Sequence, residues 1–266
     1  MSRWRGRGGL LLASVLVIAG ALAWSGRQGW LAGAQDAAWA RVQREGVLRV
    51  AMDASYPPFD IEEGGTFRGY DVDLAQEIGR RLGVEVTFIN VGYDGLYDVL
   101  QAGRCDAVIS ALPYDPQRTN IASFTGGYFD AGQVIVAPAG GDGLQGPEDL
   151  AGRRVAVEMG SQAHQEALAL RDRGQVALEI VTARSSDEAL DMVHAGAADA
   201  AIADAISARL ALHSRPGLAI HGAPLTDESF VIAVSRGNPQ LFAVVKGALD
   251  QLRGEGWLEQ LAERWL

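Results

Sequence analysis

The sequence is poor in the residues that build cross-links and metal sites. Its 266 residues include one cysteine, Cys105, and four histidines that lie far apart along the chain. A single cysteine excludes an internal disulfide, and scattered histidines give no metal-binding pattern. We therefore expect neither a disulfide scaffold nor a metal or other cofactor.

Positive charge is also scarce beyond the arginines. Lys246 is the only lysine, and the formal net charge is -10. An acidic surface repels phosphate backbones, which argues against nucleic-acid binding. With 48% hydrophobic residues the chain can build a sizeable core, and its length favours two lobes or one large α/β domain.

The N-terminus has the pattern of an export signal. Arg3, Arg5 and Arg7 precede an uncharged apolar run, Leu10–Trp24. Basic residues followed by about 15 apolar ones are typical of a secretory signal peptide, whereas a membrane span needs about 20. We predict that residues 1–34 are a signal peptide, with an uncleaved membrane anchor as the alternative, and that the protein is periplasmic or otherwise extracytoplasmic.

Beyond the leader, strand-like and helix-like segments alternate. A short helix over 37–45 precedes strands at 47–53, 84–91 and 106–110, which alternate with helices at 70–83 and 93–103; the stretch 55–60 is predicted to be a loop because of Pro57 and Pro58. This order predicts a mostly parallel sheet flanked by helices, an α/β fold.

The pattern then recurs. Arg49–Asp53 is echoed by Arg154–Glu158, and Leu100–Ile109 is echoed by Val193–Ile202. In both copies of the second motif a helix ends at glycine and an Asp-Ala pair leads into an apolar strand. Glycine at a helix end is common, but two matched strand starts and two matched helix ends in the same order predict two similar α/β lobes.

Two apolar segments are candidates for the strands that join the lobes. They are 132–138 and 229–239. This assignment gives lobe 1 as residues 35–137 and 229–266, and lobe 2 as the inserted residues 138–228. Two hinge strands would allow the lobes to close around a ligand.

Ligands of open α/β sheets bind beyond the carboxyl ends of the strands. A free amino acid would suit the side chains predicted there. Arg118 offers a planar fork for a carboxylate, and the helix start at Ser161 and Gln162 offers free N–H groups. Carboxylates for an ammonium group and rings for an apolar wall come from Asp53, Asp204, Tyr56 and Tyr93. Considered one at a time, an arginine in the position of Arg118 is usually a surface residue, and an aspartate directly after a strand, such as Asp204, often only caps a helix.

Three stretches together resemble a known family. They are Asp53–Phe59 (DASYPPF), Gly69–Ala75 (GYDVDLA) and Ala102–Ser110 (AGRCDAVIS), and the resemblance extends from about Val47 to the C-terminus. They are similar to the family 3 extracellular solute-binding proteins, the periplasmic receptors of polar amino-acid ABC importers.

The resemblance implies a type II periplasmic-binding-protein fold, with two α/β lobes joined by two hinge strands. It also implies an amino-acid ligand and an ABC permease partner in the membrane, and we expect the protein to be a monomer. The family's ligand residues fall on six positions: Tyr56, Tyr93, Arg118, Ser161, Gln162 and Asp204.

One departure from the family pattern affects the predicted pocket. Ala111-Leu112-Pro113 stands where the family usually has Gly/Ser-Met/Leu-Thr/Ser. Pro113 has neither a hydroxyl nor an N–H, so it offers a ligand only its carbonyl. Ala111 and Pro113 are retained as predicted pocket residues with altered chemistry.

Two other functions stay open at this level. The fold also resembles that of periplasmic cyclohexadienyl or arogenate dehydratases, in which case Glu158 or Asp204 would be the general acid. A membrane-anchored ligand sensor is the other alternative, and a retained N-terminal anchor would favour it.

Overall fold

The computed structural model describes residues 37–140, 144–172 and 176–266. The predicted signal peptide or anchor, residues 1–34, lies outside the described residues. Within the described ranges no helix is both long enough and apolar enough to span a membrane.

Helices and strands alternate along the chain. In chain order the elements are α1 (Ala37–Glu45), β1 (Val47–Met52), β2 (Ser55–Tyr56), β3 (Asp60–Glu63), β4 (Thr66–Arg68), α2 (Tyr70–Leu82), β5 (Glu85–Asn90), α3 (Leu96–Gln101), β6 (Ala107–Val108), β7 (Ala122–Phe124), β8 (Phe129–Asp130), β9 (Gln133–Pro138), β10 (Arg154–Glu158), α4 (Gln162–Asp172), β11 (Glu179–Ala183), α5 (Ser186–His194), β12 (Ala200–Asp204), α6 (Ala205–Leu212), β13 (Leu218–His221), β14 (Ser229–Phe230), β15 (Ala233–Ser235), α7 (Pro239–Gly254) and α8 (Trp257–Trp265).

Two five-stranded sheets share one topology. Their strand orders are β5-β1-β6-β15-β7 and β11-β10-β12-β9-β13. In each sheet three strands are parallel, and the two that follow in the order pair antiparallel. The α/β fold with two similar lobes is therefore confirmed.

Each sheet is buried on both faces, as parallel strands require. In the second sheet, Val155 and Val157 of β10 pack toward α4, while Ala156 between them packs toward α5 and α6. The first sheet likewise has one apolar layer against α2, α7 and α8 and another against α3. The alternation of side chains along each strand thus supplies two cores per lobe.

The sequence echo corresponds to one hydrogen-bonded clip that occurs in both lobes. The Asp106 carboxylate accepts from the Arg49 backbone N–H at 2.8 Å and from its guanidinium at 2.9 Å. The Asp199 carboxylate accepts from the same two groups of Arg154, both at 2.8 Å. Each clip ties the first parallel strand of a lobe to the segment that enters the third parallel strand.

The two clips differ in burial. The Asp106 side chain is 1% exposed and also accepts from Arg41 of α1, whereas the Asp199 side chain is 36% exposed. The clip of lobe 1 is therefore a buried ion-pair network, and that of lobe 2 is a half-exposed pair.

The crossing between the lobes differs from the predicted one. Strand β9, Gln133–Pro138, belongs wholly to the second sheet, where it pairs with β12 and β13. The chain crosses one step earlier, where β8 pairs antiparallel with β14. Residues 132–138 are apolar, and an apolar run suits both a buried strand within one sheet and a strand that joins two lobes. Hydrophobicity alone therefore does not distinguish these two placements.

The crossing segments are tied to each other at Asp130. Its Oδ1 accepts from the backbone N–H of Gly132 at 2.9 Å and of Glu228 at 3.1 Å. A Cβ added at Gly132 would lie 1.9 Å from the Thr226 carbonyl oxygen, so this close approach of the two segments requires glycine.

A second difference concerns residues 55–63. The predicted loop contains the short strand β2, which pairs with β3 in a three-stranded antiparallel sheet completed by β4. Pro57 and Pro58 lie in the turn between β2 and β3, where the chain reverses direction. They do not prevent Ser55 and Tyr56 from pairing with β3.

The unequal burial of the two clips predicts unequal effects of removing their aspartates. Asp106→Ala removes a buried carboxylate that accepts from two guanidinium groups and a backbone N–H, so we expect a loss of about 3 kcal/mol in the free energy of unfolding. Asp199→Ala is expected to lose less than half as much. Urea unfolding of both variants measures the difference, and equal losses would contradict the assigned role of burial.

Candidate functional site

A cavity of about 320 Å³ opens at the carboxyl ends of β1 and β6. It is lined by Asp53, Ser55, Tyr56, Tyr93, Ser110, Ala111, Pro113 and Phe230. Five of the nine predicted site residues are in this set: Asp53, Tyr56, Tyr93, Ala111 and Pro113. They meet here because parallel strands end on the same edge of the sheet.

Asp53 organises the entrance of this cavity. One carboxylate oxygen accepts from the backbone N–H of Tyr93 at 2.9 Å, and the other accepts from the Ser55 hydroxyl at 2.7 Å. Asp53 thereby fixes the start of the short 3-10 helix Tyr93–Gly95. The Asp53 carboxylate thus holds the backbone of Tyr93 in position.

Two tyrosine rings form exposed walls. Tyr56 is 47% exposed and Tyr93 is 49% exposed, and the Tyr56 ring stacks on Phe59 with a centroid distance of 5.9 Å. Partial burial, followed by the charges of Asp204 and Glu228, raises the pKa of the Tyr56 hydroxyl. The Tyr56 hydroxyl of lobe 1 therefore lies within electrostatic range of a carboxylate of lobe 2 and of one at the hinge.

The departure from the family pattern has a clear backbone setting. Ala111 has φ 42°, a left-handed conformation that favours glycine, and its N–H donates to Asp71. On either side of Pro113, Val231 N–H donates to the Leu112 carbonyl at 2.8 Å and Tyr114 N–H donates to the Ser229 carbonyl at 3.3 Å. This wall of the cavity is thus attached to the second crossing segment, in a ladder that needs no N–H from residue 113.

Arg118 lies beside the cavity rather than on its lining. It ends the 3-10 helix Pro116–Arg118, which Asp115 caps, and its guanidinium is 3.7 Å from the Asp115 carboxylate. Its Cζ lies 5.0 Å from the centroid of the Tyr97 ring, and its side chain remains 50% exposed. The guanidinium is held by an aromatic face and a weak ion pair, which leaves donors for a ligand.

Tyr97 is a residue that the sequence analysis missed. Its hydroxyl is buried and has no hydrogen-bond partner within the described part of the chain. Burial raises the pKa of Tyr97 to about 12, with smaller contributions from Asp115 and Tyr93. Its position in α3, four residues after Tyr93, is the helical spacing that could have indicated a shared face.

Lobe 2 presents two helix starts. Ser161 caps α4, since its hydroxyl accepts from His164 N–H at 3.2 Å, and Asp204 caps α6 by accepting from Ser207 N–H at 2.8 Å. The Gln162 amide donates to the Glu228 carboxylate. Ser161, Gln162 and Asp204 are outside the 320 Å³ cavity, and Asp204 is linked to it through the electrostatic effect on Tyr56.

Glu228 is the second residue that was missed. It lies between the lobes on the crossing segment before β14, and with Pro113, Tyr114 and Asp227 it lines a neighbouring cavity of about 400 Å³. Its only sequence signal was an acidic pair ahead of an apolar strand, which is common on any surface. As for metals, no cluster of three His, Cys, Asp or Glu side chains suited to an ion occurs among the residues that the structure describes.

Comparison with known proteins agrees with this geometry. Residues 48–266 match the model of the bacterial extracellular solute-binding proteins, family 3. The chain belongs to this family. The resemblance inferred from the three sequence stretches, and the type II binding-protein fold, are thereby confirmed.

The chain is also similar to one named binding protein and to two solved structures. The L-arginine-binding protein of Pseudomonas aeruginosa is 28% identical over 228 residues, which cover 82% of this chain and 87% of the relative. The structure of an ancestral cationic amino acid solute binding protein is 31% identical, with a TM-score of 0.59, and covers 85% of this chain and 98% of that one. The structure of an ancestral cyclohexadienyl dehydratase is 27% identical, with a TM-score of 0.74, and covers 85% and 94%.

Proposed function

We propose that this protein is an extracytoplasmic receptor that closes over an amino acid with a cationic side chain and delivers it to an ABC permease. The observation that carries the choice of ligand is the charge around the cleft. Asp53 lines the cavity, the charges of Asp204 and Glu228 act on Tyr56 beside it, and none of the three carboxylates has an ion-pair partner within 4 Å among the described residues.

Unpaired carboxylates in a cleft favour a ligand that brings positive charge. When a cleft closes and excludes water, an uncompensated carboxylate becomes unfavourable by several kcal/mol, on the order of the penalty for any buried unpaired charge. A zwitterion with a neutral side chain compensates one carboxylate with its ammonium group. A cationic side chain compensates a second, which agrees with the names of two of the relatives.

The proposed placement of the ligand follows from which groups are free. The α-carboxylate would accept from Arg118 and from the start of α4 at Ser161, and the α-ammonium would donate to Asp204. The cationic side chain would lie between the rings of Tyr56 and Tyr93. Flat rings stack well on a guanidinium, and both rings are about half exposed.

Closure would bend the chain at the two crossing segments. We place the lobe boundaries at Gly132 and Thr226, because β9 pairs only within the second sheet and Gln133 N–H donates to the Thr226 hydroxyl at 2.9 Å. Glu228, which accepts from Gln162 of lobe 2, lies at this bend. A ligand cation that binds Glu228 would therefore act directly on the contact between hinge and lobe 2.

The similarity to an ancestral cyclohexadienyl dehydratase suggests one alternative function, that of an enzyme. Glu158 and Asp204 are the candidate general acids, and both already accept hydrogen bonds. The Glu158 carboxylate accepts from the N–H and hydroxyl of Ser186, both at 3.0 Å, and Asp204 caps α6. Both carboxyls are thus already engaged as hydrogen-bond acceptors within lobe 2, which supports a binding role over a catalytic one.

Ligand stabilisation tests the proposal as a whole. L-Arginine present at about 100 times its Kd is expected to raise Tm by roughly 5–10 °C, since binding to the folded state adds about 2.7 kcal/mol. A thermal-shift screen of the domain against the twenty common amino acids measures this. Turnover of prephenate or arogenate, with no shift from any amino acid, would establish the dehydratase alternative instead.

Glu228→Gln tests the charge argument. We expect its affinity for L-arginine to fall about tenfold, because one carboxylate near the ligand cation becomes neutral. L-Citrulline has a similar shape without the charge, so its affinity is expected to change less than threefold. Glu85→Gln, on the exposed edge strand β5, is the matched control. Calorimetric titration measures the affinity of the wild type and of both variants for each ligand. Equal losses for both ligands would refute the proposed role of Glu228.

Arg118→Ala tests the head-group assignment. Loss of a guanidinium that binds the α-carboxylate is expected to weaken L-arginine binding by at least about thirtyfold. The fold should persist, since the Arg118 side chain is half exposed. Arg184→Ala, which removes an exposed guanidinium of lobe 2 paired with Glu188, is the control. An affinity that stays within threefold of wild type would show that the carboxylate binds elsewhere.

A further inference from the structure

Two aspartates are buried together behind the wall of the ligand cavity. Asp60 starts β3 and Asp71 lies in the first turn of α2, and both have no solvent-exposed surface. Neither forms an ion pair with an arginine, lysine or histidine of the described chain. Two buried carboxyl groups without a cation require an explanation, because a buried charge is stable only when it is compensated.

Their hydrogen bonds divide the two roles. Asp71 Oδ2 accepts from the Ala111 N–H and from the Tyr128 hydroxyl, the latter at 3.0 Å. Asp60 Oδ2 accepts from the Ser110 hydroxyl at 3.0 Å, and that hydroxyl accepts from the Asp53 N–H at 2.9 Å. The two carboxyls therefore hold the backbone of the cavity wall from behind.

The remaining oxygens of the pair point to a shared proton. The Oδ1 atoms of Asp60 and Asp71 have no donor from elsewhere in the described structure, and the two carboxyls are within hydrogen-bonding reach of each other. Two carboxylates in contact without a cation cannot both be ionised. One must carry the proton that joins them.

The donors decide which of the two carries it. Burial, followed by the charge of Asp71, raises the pKa of Asp60 well above its ordinary range. Burial also raises the pKa of Asp71, but the Ala111 N–H and the Tyr128 hydroxyl oppose this by favouring its ionised form. Asp60 is thus the acid that donates, and Asp71 is the carboxylate that accepts.

The other titratable groups around the pair do not replace this proton. Asp53 lies on the cavity side and adds negative charge near Asp60. Tyr70 and Tyr128 pack on the far side, and burial followed by the charge of Asp71 raises the pKa of both phenols. Both phenols remain neutral wherever the pair could titrate.

We propose that Asp60 and Asp71 share one proton and act as a positioning pair for the Ser110–Ala111 wall, so that loss of this proton loosens the wall and weakens ligand binding. The pair acts through Ser110 and Ala111, which line the cavity. Ala111 needs such support because its left-handed backbone, with φ 42°, is unfavourable for a residue with a Cβ. The effect on binding rests on the function proposed above; the proton itself does not.

Asp60→Asn provides the decisive variant. Asparagine has the shape of the neutral acid, donates an N–H to Asp71 at every pH and keeps an oxygen for Ser110. In the wild type, the unfolded chain releases the proton above an aspartate's ordinary pKa of about 4, whereas the folded chain keeps it. Unfolding then releases one proton, so the wild-type unfolding equilibrium constant should rise about tenfold per pH unit relative to that of the variant.

Urea unfolding from about pH 5 to about pH 6.5 measures this difference without any ligand. The exposed Asp98→Asn of α3 is the control, and its curve should run parallel to that of the wild type. Parallel curves for Asp60→Asn and the wild type would overturn the shared proton. Because no ligand is present, this outcome is independent of whether the receptor function is correct.

Two further measurements test the positioning role. Amide hydrogen exchange at Ser110, Ala111 and Leu112 should accelerate with pH more in the wild type than in Asp60→Asn, compared at equal pH. L-Arginine affinity should likewise fall with pH more steeply in the wild type, and the ligand's own ionisation cancels in the ratio of the two proteins. Asp60→Leu, which can neither donate nor accept, should weaken L-arginine binding at least tenfold.

The outcomes separate the two proposals. Exchange rates with the same pH dependence in wild type and Asp60→Asn would overturn the positioning role, even if the stability data establish the proton. If L-arginine bound to none of the proteins, the proposed function would fail while the exchange data still decided the role of the pair.

Discussion

The contact on which the molecule depends is the pairing of two short crossing segments, anchored in aromatic packing. Phe129 of β8 and Phe230 of β14 both lie against Phe59, each with a centroid distance of 5.3 Å. These rings belong to the core of lobe 1, so the crossing strands are fixed to that lobe at their phenylalanines. Bending is left to the residues just beyond, where Asp130 ties Gly132 to Glu228.

The same arrangement connects the wall of the cavity to the hinge. Leu112 and Tyr114 pair with the backbone of the second crossing strand on either side of Pro113. Asp71 holds Ala111 from behind, and its partner Tyr128 immediately precedes β8. The wall is therefore hydrogen-bonded directly to the second crossing strand and, through Asp71 of α2, to Tyr128 beside the first.

Much of the fold was accessible from sequence because its signals are local. The echo of Arg49–Asp53 in Arg154–Glu158 corresponds to a real repeat: in each lobe an arginine and an aspartate close the same clip. Helix α2 ends where glycine was expected, with Gly83 in the left-handed conformation. Such features depend on a few neighbouring residues, so they can be recognised in the sequence without knowing which segment packs against them.

What could not be predicted depends on long-range pairing. Strand β9 has the apolar composition of a connection between lobes and of a central strand alike, and only its partners β12 and β13 distinguish the two. Asp60 follows an ordinary loop and Asp71 is the second residue of α2, and nothing in either position shows that both side chains are buried. Tyr97 and Glu228 were missed for the same reason, because their surroundings come from segments far away in the chain.

More of the predicted site residues lie together on lobe 1 than across the cleft. Asp53, Tyr56, Tyr93, Ala111 and Pro113 surround one cavity, since all follow strands of a single sheet. Arg118, Ser161, Gln162 and Asp204 lie around it, and their joint contact with a ligand stays a prediction. It requires the two lobes to approach each other, which is the central claim of this account.

A distance between the lobes tests that claim most directly. Spin labels at Asn120→Cys in lobe 1 and Gln165→Cys in lobe 2, with the buried Cys105 replaced by alanine, would report it by pulsed electron resonance. Saturating L-arginine is expected to shorten this distance by several ångströms and to narrow its distribution, whereas L-aspartate should leave it unchanged. A distance that stays the same while L-arginine is bound would contradict closure of the cleft around the ligand.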